Sequence, residues 1–480
     1  MQTIALHDRV KPDAGVAETT EALQAAIDEG ARSGGVVSVS PGNWTITTIH
    51  LRSNMTLRLE RGSRLLAHPD IDDYPALARG HNKDRQPYHL VYADGCDRLT
   101  IEGDGVIDGQ GDQFWDAPIG DRTQGAVGLF HRHRGARVSP MVDLRDCTNV
   151  VLRDFTMYNS PGWTLHTLRC RNVRIDGVTV DNNLFGPNTD GFDINGCQDV
   201  IVSNCNLTCG DDAIILKSTD DAGACERIAI TNCVLSTHCA AIGLGAEIDH
   251  VIRDVTVSNC VVTRAIRMIQ LEMWTAGVFE NITINNITGR TMADVPLERP
   301  IYLDIQHHRR TDGKLGTLRN VVISNMTAIT RGRIMLTAAD GACIEDVTLR
   351  DIQLIYPEVE DPKHTVQHMH SSQMSNDNPE SRDVRSAVIL DNVRRVRLEN
   401  ISTRWPDAQP RAIEDGPWPG LHTQLPMHAL WCRNARDVVV DCPWLTPSMT
   451  DVEPLVQRGS ELEVRALPGV AEAAAKPVAS

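Results

Sequence analysis

Asp146-Cys147-Thr148-Asn149-Val150-Val151-Leu152 is echoed by Arg169-Cys170-Arg171-Asn172-Val173-Arg174-Ile175. Two further copies follow, Gly196-Cys197-Gln198-Asp199-Val200-Ile201-Val202 and Ala224-Cys225-Glu226-Arg227-Ile228-Ala229-Ile230. With Val150, Val173, Val200 and Ile228 as markers, the steps are 23, 27 and 28 residues. Weaker copies run through Asp249 to Val257, Phe279 to Ile284, Leu318 to Ile323, Cys343 to Leu349, Val393 to Leu398 and Ala435 to Val440. Short Val/Ile-rich runs punctuated by Asn and Gly at this period argue for stacked coils. Leucine-rich repeats would show Leu at nearly every structural position, and helical repeats would show an apolar stripe of helical period; neither appears. The reading is all-β: a single-stranded right-handed parallel β-helix, whose coils pair with those above and below and bury one face inside. Cys147, Cys170, Cys197 and Cys225 hold equivalent places and are expected to form an internal ladder.

The repeat runs through most of the 480 residues, so one elongated domain over 1–467 is expected rather than several. Glu21 to Ala31 place Ala22, Leu23, Ala26 and Ile27 on one face of a short helix, expected at about 19–31, that would cap the first coil. Pro357 to Arg385 reads as a polar interruption and 468–480 as a disordered tail. With 47 basic against 63 acidic residues the net charge is −16, which disfavours nucleic acid and anionic membranes as partners. No apolar run is long enough to span a bilayer. The thirteen cysteines cannot all pair, and several fill repeat positions where a small buried hydrophobe suffices, so a reducing compartment is the economical reading. Met1 to Leu6 lack the basic start and apolar core of a secretory signal, which makes the expectation cytoplasmic unless a leader has been removed.

Two stretches carry chemistry. Asn188-Thr189-Asp190 and, one repeat later, Gly210-Asp211-Asp212 bring three carboxylates to neighbouring coils, each entering a β-rich segment. Such a set can protonate a leaving group while activating water, which is the work of a glycosidase. Crowded carboxylates cannot all ionise easily, so one should hold a proton near neutral pH. Taken singly, each stretch is also a good turn sequence.

Asn188-Thr189-Asp190-Gly191, Cys209-Gly210-Asp211-Asp212-Ala213-Ile214 and His238 before Ala241-Ile242-Gly243 resemble the polygalacturonase-like family, family 28 of the glycoside hydrolases. Gly34-Gly35-Val36-Val37, Leu51-Arg52-Ser53-Asn54 and Gly105-Val106-Ile107-Asp108-Gly109-Gln110-Gly111 are similar to it as well. The resemblance covers roughly Gly15 to Ile401. It implies a pectin-lyase-like solenoid and an inverting hydrolase without cofactor or metal, acting on a carbohydrate. Asp211 would be the general acid and Asp190 and Asp212 the bases, with Asn188 and His238 in support. Inversion asks for about 6.5–9.5 Å between acid and base. His238 lies between two glycines in the family but between Thr237 and Cys239 here; it is expected to hydrogen-bond near Asp211. Lys217 matches a basic position, either a substrate contact or a counter-charge.

The departure lies one coil on. Where the family has Arg-Ile-Lys, gripping a substrate carboxylate, this chain reads Arg267-Met268-Ile269-Gln270-Leu271-Glu272-Met273-Trp274. Strand alternation puts Ile269 and Leu271 inward and Met268, Gln270 and Glu272 outward, so Met268 and Gln270 take the two cationic positions. A uronate there would lack partners and face Glu272, which favours a neutral sugar over homogalacturonan. Trp274 offers a stacking face or packs in the core. Arg267 would take the basic role if the register slipped by one, so a polygalacturonase acting on uronates, endo or exo, remains an alternative. The long loops point to oligosaccharides attacked from a chain end.

Two further classes stay open. A β-helix lyase or epimerase would need a base or Ca²⁺ against a carboxylate, and the change at Met268 and Gln270 weighs against it. A noncatalytic carbohydrate-binding β-helix would have no use for the three intact aspartates. His364, His368 and His370 lack a fixed scaffold and a fourth metal ligand. The basic cluster His131, Arg132, His133, Arg134 and Arg137 is either a solvated loop or a contact for an acidic sugar. The sequence is silent on oligomeric state.

Overall fold

The computed structural model describes residues 3–471 apart from 78–83, 117–118, 121–128, 131–133, 292–297, 307–312, 359–378, 383 and 408–426. Two compact units divide the chain: Met1–Gly120 with Leu129–Cys239, and Asp121–Gly128 with Ala240–Ser480. The fold is a right-handed parallel β-helix. In the first unit a full coil lays down three short strands, each pairing in parallel with its counterpart on the next coil. One ladder runs through Val36–Val39, Met55–Leu59, Asp97–Gly103, Thr148–Arg153, Arg171–Asp176, Gln198–Ser203 and Cys225–Thr231. A second, which carries the site, runs through Val91–Asp94, Val142–Arg145, Leu165–Leu168, Phe192–Asn195 and Ile214–Ser218. A third includes Val106–Asp108, Thr156–Tyr158, Thr179–Asp181, Asn206–Cys209 and Val234–Thr237.

The four markers fall in register, Val150 opposite Val173, Val173 opposite Val200 and Val200 opposite Ile228, and all four are buried. The polar residue before each marker turns the coil: Asn149, Asn172, Asp199 and Arg227 sit at φ of 55, 53, 61 and 59°. Asn and Asp tolerate this left-handed conformation because their short side chains bond locally. They also stack, Asn172 Nδ2 donating to Asn149 Oδ1 at 2.6 Å. Cys147, Cys170, Cys197 and Cys225 are buried thiols, and the Cys170 N–H reaches Cys197 Sγ at 3.3 Å. Cys96 extends the row through a thiol contact to Cys147. All thirteen cysteines are free.

In the second unit two ladders merge into long strands, Val251–Arg264, Val278–Arg290, Thr317–Ile329 and Ile344–Ile355, with Val255, Ile282, Val321 and Val347 in one buried line. Beside them run Ala240–Ile248, Arg267–Met273, Arg299–Ile305 and Ile334–Ala338.

The capping helix spans Val16–Ser33, longer at both ends than about 19–31. Gly34 closes it at φ 64°, its N–H bonding Gly30 O. The buried face is Thr19, Leu23, Ala26, Ile27 and Gly30, whereas Ala22 is half-buried. Gly30 lets the helix approach closely, since a Cβ there would stand 2.9 Å from Val37 Cγ2. Gln24 shows what the cap does: its side chain donates to His50 O at 3.0 Å and accepts from His50 N–H at 2.8 Å, supplying partners to strand backbone. No described helix is long and apolar enough to cross a membrane. His131, Arg132, His133, His364, His368, His370, most of 357–385 and the tail from 472 lie outside the described residues.

Candidate active site

Asp190 and Asp212 enter successive strands of the second ladder. The Gly191 N–H bonds Asp212 O at 2.8 Å, and the Thr164 N–H bonds Asp190 O at 3.0 Å. Glycine is required between Asp190 and the strand, because a Cβ on Gly191 would lie 2.3 Å from Ala213 O. Thr189 joins the two motifs from within: its Oγ1 donates to Gly186 O at 3.2 Å and accepts from the Gly210 N–H at 3.0 Å. Asn188, held at φ 51°, donates from Nδ2 to Asp211 Oδ2 at 3.2 Å. Asp211 Oδ1 accepts from the Asp212 N–H at 3.0 Å, and its backbone carbonyl accepts from Thr237 Oγ1. The three carboxylates are thus gathered as the sequence suggested.

Burial first, then the charge of Asp212, pushes the Asp211 carboxyl up to about 6. Asp190 is 4% exposed, and its Oδ1 has no hydrogen-bond partner among the described residues. Burial and the neighbouring Asp193, Asp211 and Asp212 hold it well above the ordinary carboxylate range. These influences favour the protonated form of Asp190, whereas a base acts ionised. Asp212 is half-buried, as is Asp211. One carboxyl oxygen each of Asp211 and Asp212, with Cys239 Sγ, lie within 4.8 Å of one another. Among the described residues these three form the one acidic or thiol group close enough to share an ion, yet it lacks the fourth protein ligand of a structural zinc site.

Lys217 is a counter-charge. Its Nζ stands 4.0 Å from Asp193 Oδ1 and 5.1 Å from the Trp163 ring, and it draws the carboxyls of Asp190 and Asp211 downward. His238 donates from Nδ1 to Leu184 O at 2.7 Å and packs 4.7 Å from the Phe185 ring. Its neighbours Thr237 and Cys239 also approach Asp211. Of the basic cluster, Arg134 stays at the surface beside Asp116, whereas Arg137 is buried, donates to Asp84 at 3.1 Å and senses the charge of Asp190.

Asp193, His166 and Asp143, opposite one another on three coils, were not singled out from the sequence. Asp143 Oδ1 bonds His166 Nδ1 at 2.8 Å, and its Oδ2 bonds Arg145 Nε at 2.7 Å and lies 3.3 Å from His89 Nε2. The two histidines and Arg145 hold Asp143 well below the usual carboxylate range despite its burial, and burial lowers His166 to about 4. The signal was available: polar residues at the outward positions of a strand ladder.

In the second unit Ile269 lies opposite Ile301, Gln270 opposite Tyr302 and Glu272 opposite Asp304. Met268, Gln270 and Glu272 are all buried, and Trp274 is half-buried. The side chain of Arg267 reaches the outward row. Its Nη1 donates to Gln270 Oε1 at 2.7 Å, and its guanidinium lies 5.7 Å from the Tyr302 ring, which Arg299 approaches to 4.2 Å. This row carries positive charge after all.

Residues 47–375 match the model for glycosyl hydrolases family 28. The chain belongs to that family. A probable polygalacturonase of Vitis vinifera is 28% identical over 57% of this chain and 58% of its own length. A probable polygalacturonase of Arabidopsis thaliana is 24% identical over 62% of this chain and 64% of its own. The chain therefore spans less than two thirds of these family 28 relatives. An exopolygalacturonase from Thermotoga maritima superimposes with a TM-score of 0.66 at 20% identity, over 84% of this chain and 92% of that one. A family 28 exopolygalacturonase of Yersinia enterocolitica gives 0.65 at 20% identity, over 92% and 78%. At such identity these likenesses speak for the fold.

Proposed function

We propose that this family 28 chain is a glycoside hydrolase that cleaves an α-linked, galacturonate-containing glycan by direct attack of water. The observation that carries the reading is the Asp211 carboxyl, raised to about 6 between Asn188 and Asp212, where it can donate a proton near neutral pH. Asp211 protonates the leaving oxygen; Asp212 accepts a proton from water; Asp190, buried beside them, orients that water. Two features support a uronate: the relatives are named polygalacturonases, and Arg267 and Arg299 bring guanidinium groups to the outward row of the second unit.

A neutral sugar is the second reading, favoured by Met268 and Gln270 at the family's cationic positions and by Glu272 beside them. Reducing-end release from polygalacturonate against neutral pectic oligosaccharides decides between the two, and the product lengths distinguish chain-end from internal attack. Direct attack of water inverts the anomeric centre. Proton NMR of the first product tests this: the inverted anomer is expected, and early release of the retained anomer would replace water by a carboxylate nucleophile. A reducing compartment rests on the thirteen free thiols, and a thiol count on the native protein tests it.

A further inference from the structure

We infer that the thiol of Cys239 donates a hydrogen bond to the Asp211 carboxyl and so acts as a positioning residue for the acid. The inference rests on the reading of Asp211 as that acid. Its basis is the turn Thr237-His238-Cys239. Thr237 Oγ1 donates to the backbone carbonyl of Asp211 and accepts from the Cys239 N–H at 2.9 Å. One hydroxyl therefore clamps the start of this turn against Asp211, and the side chain two residues on is carried over the carboxyl. Cys239 Sγ lies within 4.8 Å of a carboxyl oxygen of both Asp211 and Asp212, and its thiol draws the Asp211 carboxyl downward. Where the family resemblance has glycine this chain has a side chain with one proton to give. Cys239 is 7% exposed, so water does not compete freely for that proton.

Asp211 then has three donors, Asn188 Nδ2, the Asp212 N–H and the thiol. The charged groups that face it are Asp212, Asp84 and Asp190, which favour the proton, and Lys217, which opposes it. A donor to the ionised form lowers proton affinity, and it also fixes the carboxyl plane. The thiol thus offsets part of the upward pressure from burial and from Asp212, and keeps the acid within reach of physiological pH.

The test needs no substrate for its first arm. The infrared S–H stretching band isolated as the difference between the full chain and its Cys239→Ala variant should shift as pH passes through the titration of Asp211. In an Asp211→Asn background that shift should vanish. A band that ignores pH in the parent protein overturns the inference even if Asp211→Asn is inactive, whereas an active Asp211→Asn variant overturns the acid assignment instead. The second arm is kinetic, with polygalacturonate and a neutral pectic oligosaccharide as probes, using whichever is cleaved. Cys239→Ala should lower kcat about fivefold, with little change in KM, and move its alkaline limb to higher pH. Cys239→Ser, which keeps a donor, should restore both. Equal behaviour of the Ala and Ser variants would reduce Cys239 to packing and sink the proposal.

Discussion

Asn188 and Asp211, 23 residues apart in sequence, meet through an Nδ2 to Oδ2 hydrogen bond of 3.2 Å that ties the Asn-Thr-Asp turn to the Gly-Asp-Asp turn. The bond reaches a carboxyl that burial, and then the charge of Asp212, push up to about 6. A general acid works only while protonated, so kcat should fall as pH rises through about 6. Asn188→Ala removes a donor to the charged form and should move that limb to higher pH. Asp211→Asn should lower kcat by about 10²–10⁴-fold while circular dichroism stays unchanged. Near parental turnover in Asp211→Asn would end the assignment.

Asp143 predicts a stability effect separate from catalysis. It is fully buried between His89, His166 and Arg145, so Asp143→Asn strands buried partners and should cost about 3–5 kcal/mol in urea unfolding. His166, lowered from 6.5 to about 4, adds a pH dependence. The unfolded chain binds this proton first, so stability is fully present above 6.5 and is lost as pH falls toward about 4. A His166→Gln variant should flatten the acid limb of the stability curve; an unchanged limb would assign the loss elsewhere.

Gly191 predicts a steric effect at the site itself. A methyl group there must push Ala213 O from 2.3 Å, in the coil that carries Asp212. Gly191→Ala should cost roughly 1–3 kcal/mol or more and misplace the base, lowering both Tm and kcat. A variant with parental Tm would mean that the strand yields without loss.

The coil register was legible because identical apolar positions must stack: Val150, Val173, Val200 and Ile228 could be aligned on the page and do pair. The gathering of Asp190, Asp211 and Asp212 followed from that register. What depends on side-chain reach was not legible. Arg267 begins its strand with the inward parity of Ile269, yet its long side chain bends round to Gln270. Thr237 and Cys239, on either side of His238, approach Asp211, and that clamp depends on a hydroxyl at one position of a turn. The Asp143 group is assembled from residues 89, 143, 145 and 166, with no short motif to betray it.

Arg267 decides the last prediction, the sign of the substrate's charge. With a guanidinium on Gln270 and a second over Tyr302, a galacturonate carboxylate would find cations in this row although Met268 and Gln270 supply none. Arg267→Met should then raise KM on polygalacturonate about tenfold or more, and Arg267→Lys should recover part of the loss. Because an ion pair is screened, the parental kcat/KM on polygalacturonate should fall with added salt, and the Met variant should respond less. If cleavage runs only on neutral oligosaccharides, with no salt dependence and no effect of Arg267→Met on KM, then the guanidinium braces Gln270 and the neutral reading of the row is correct.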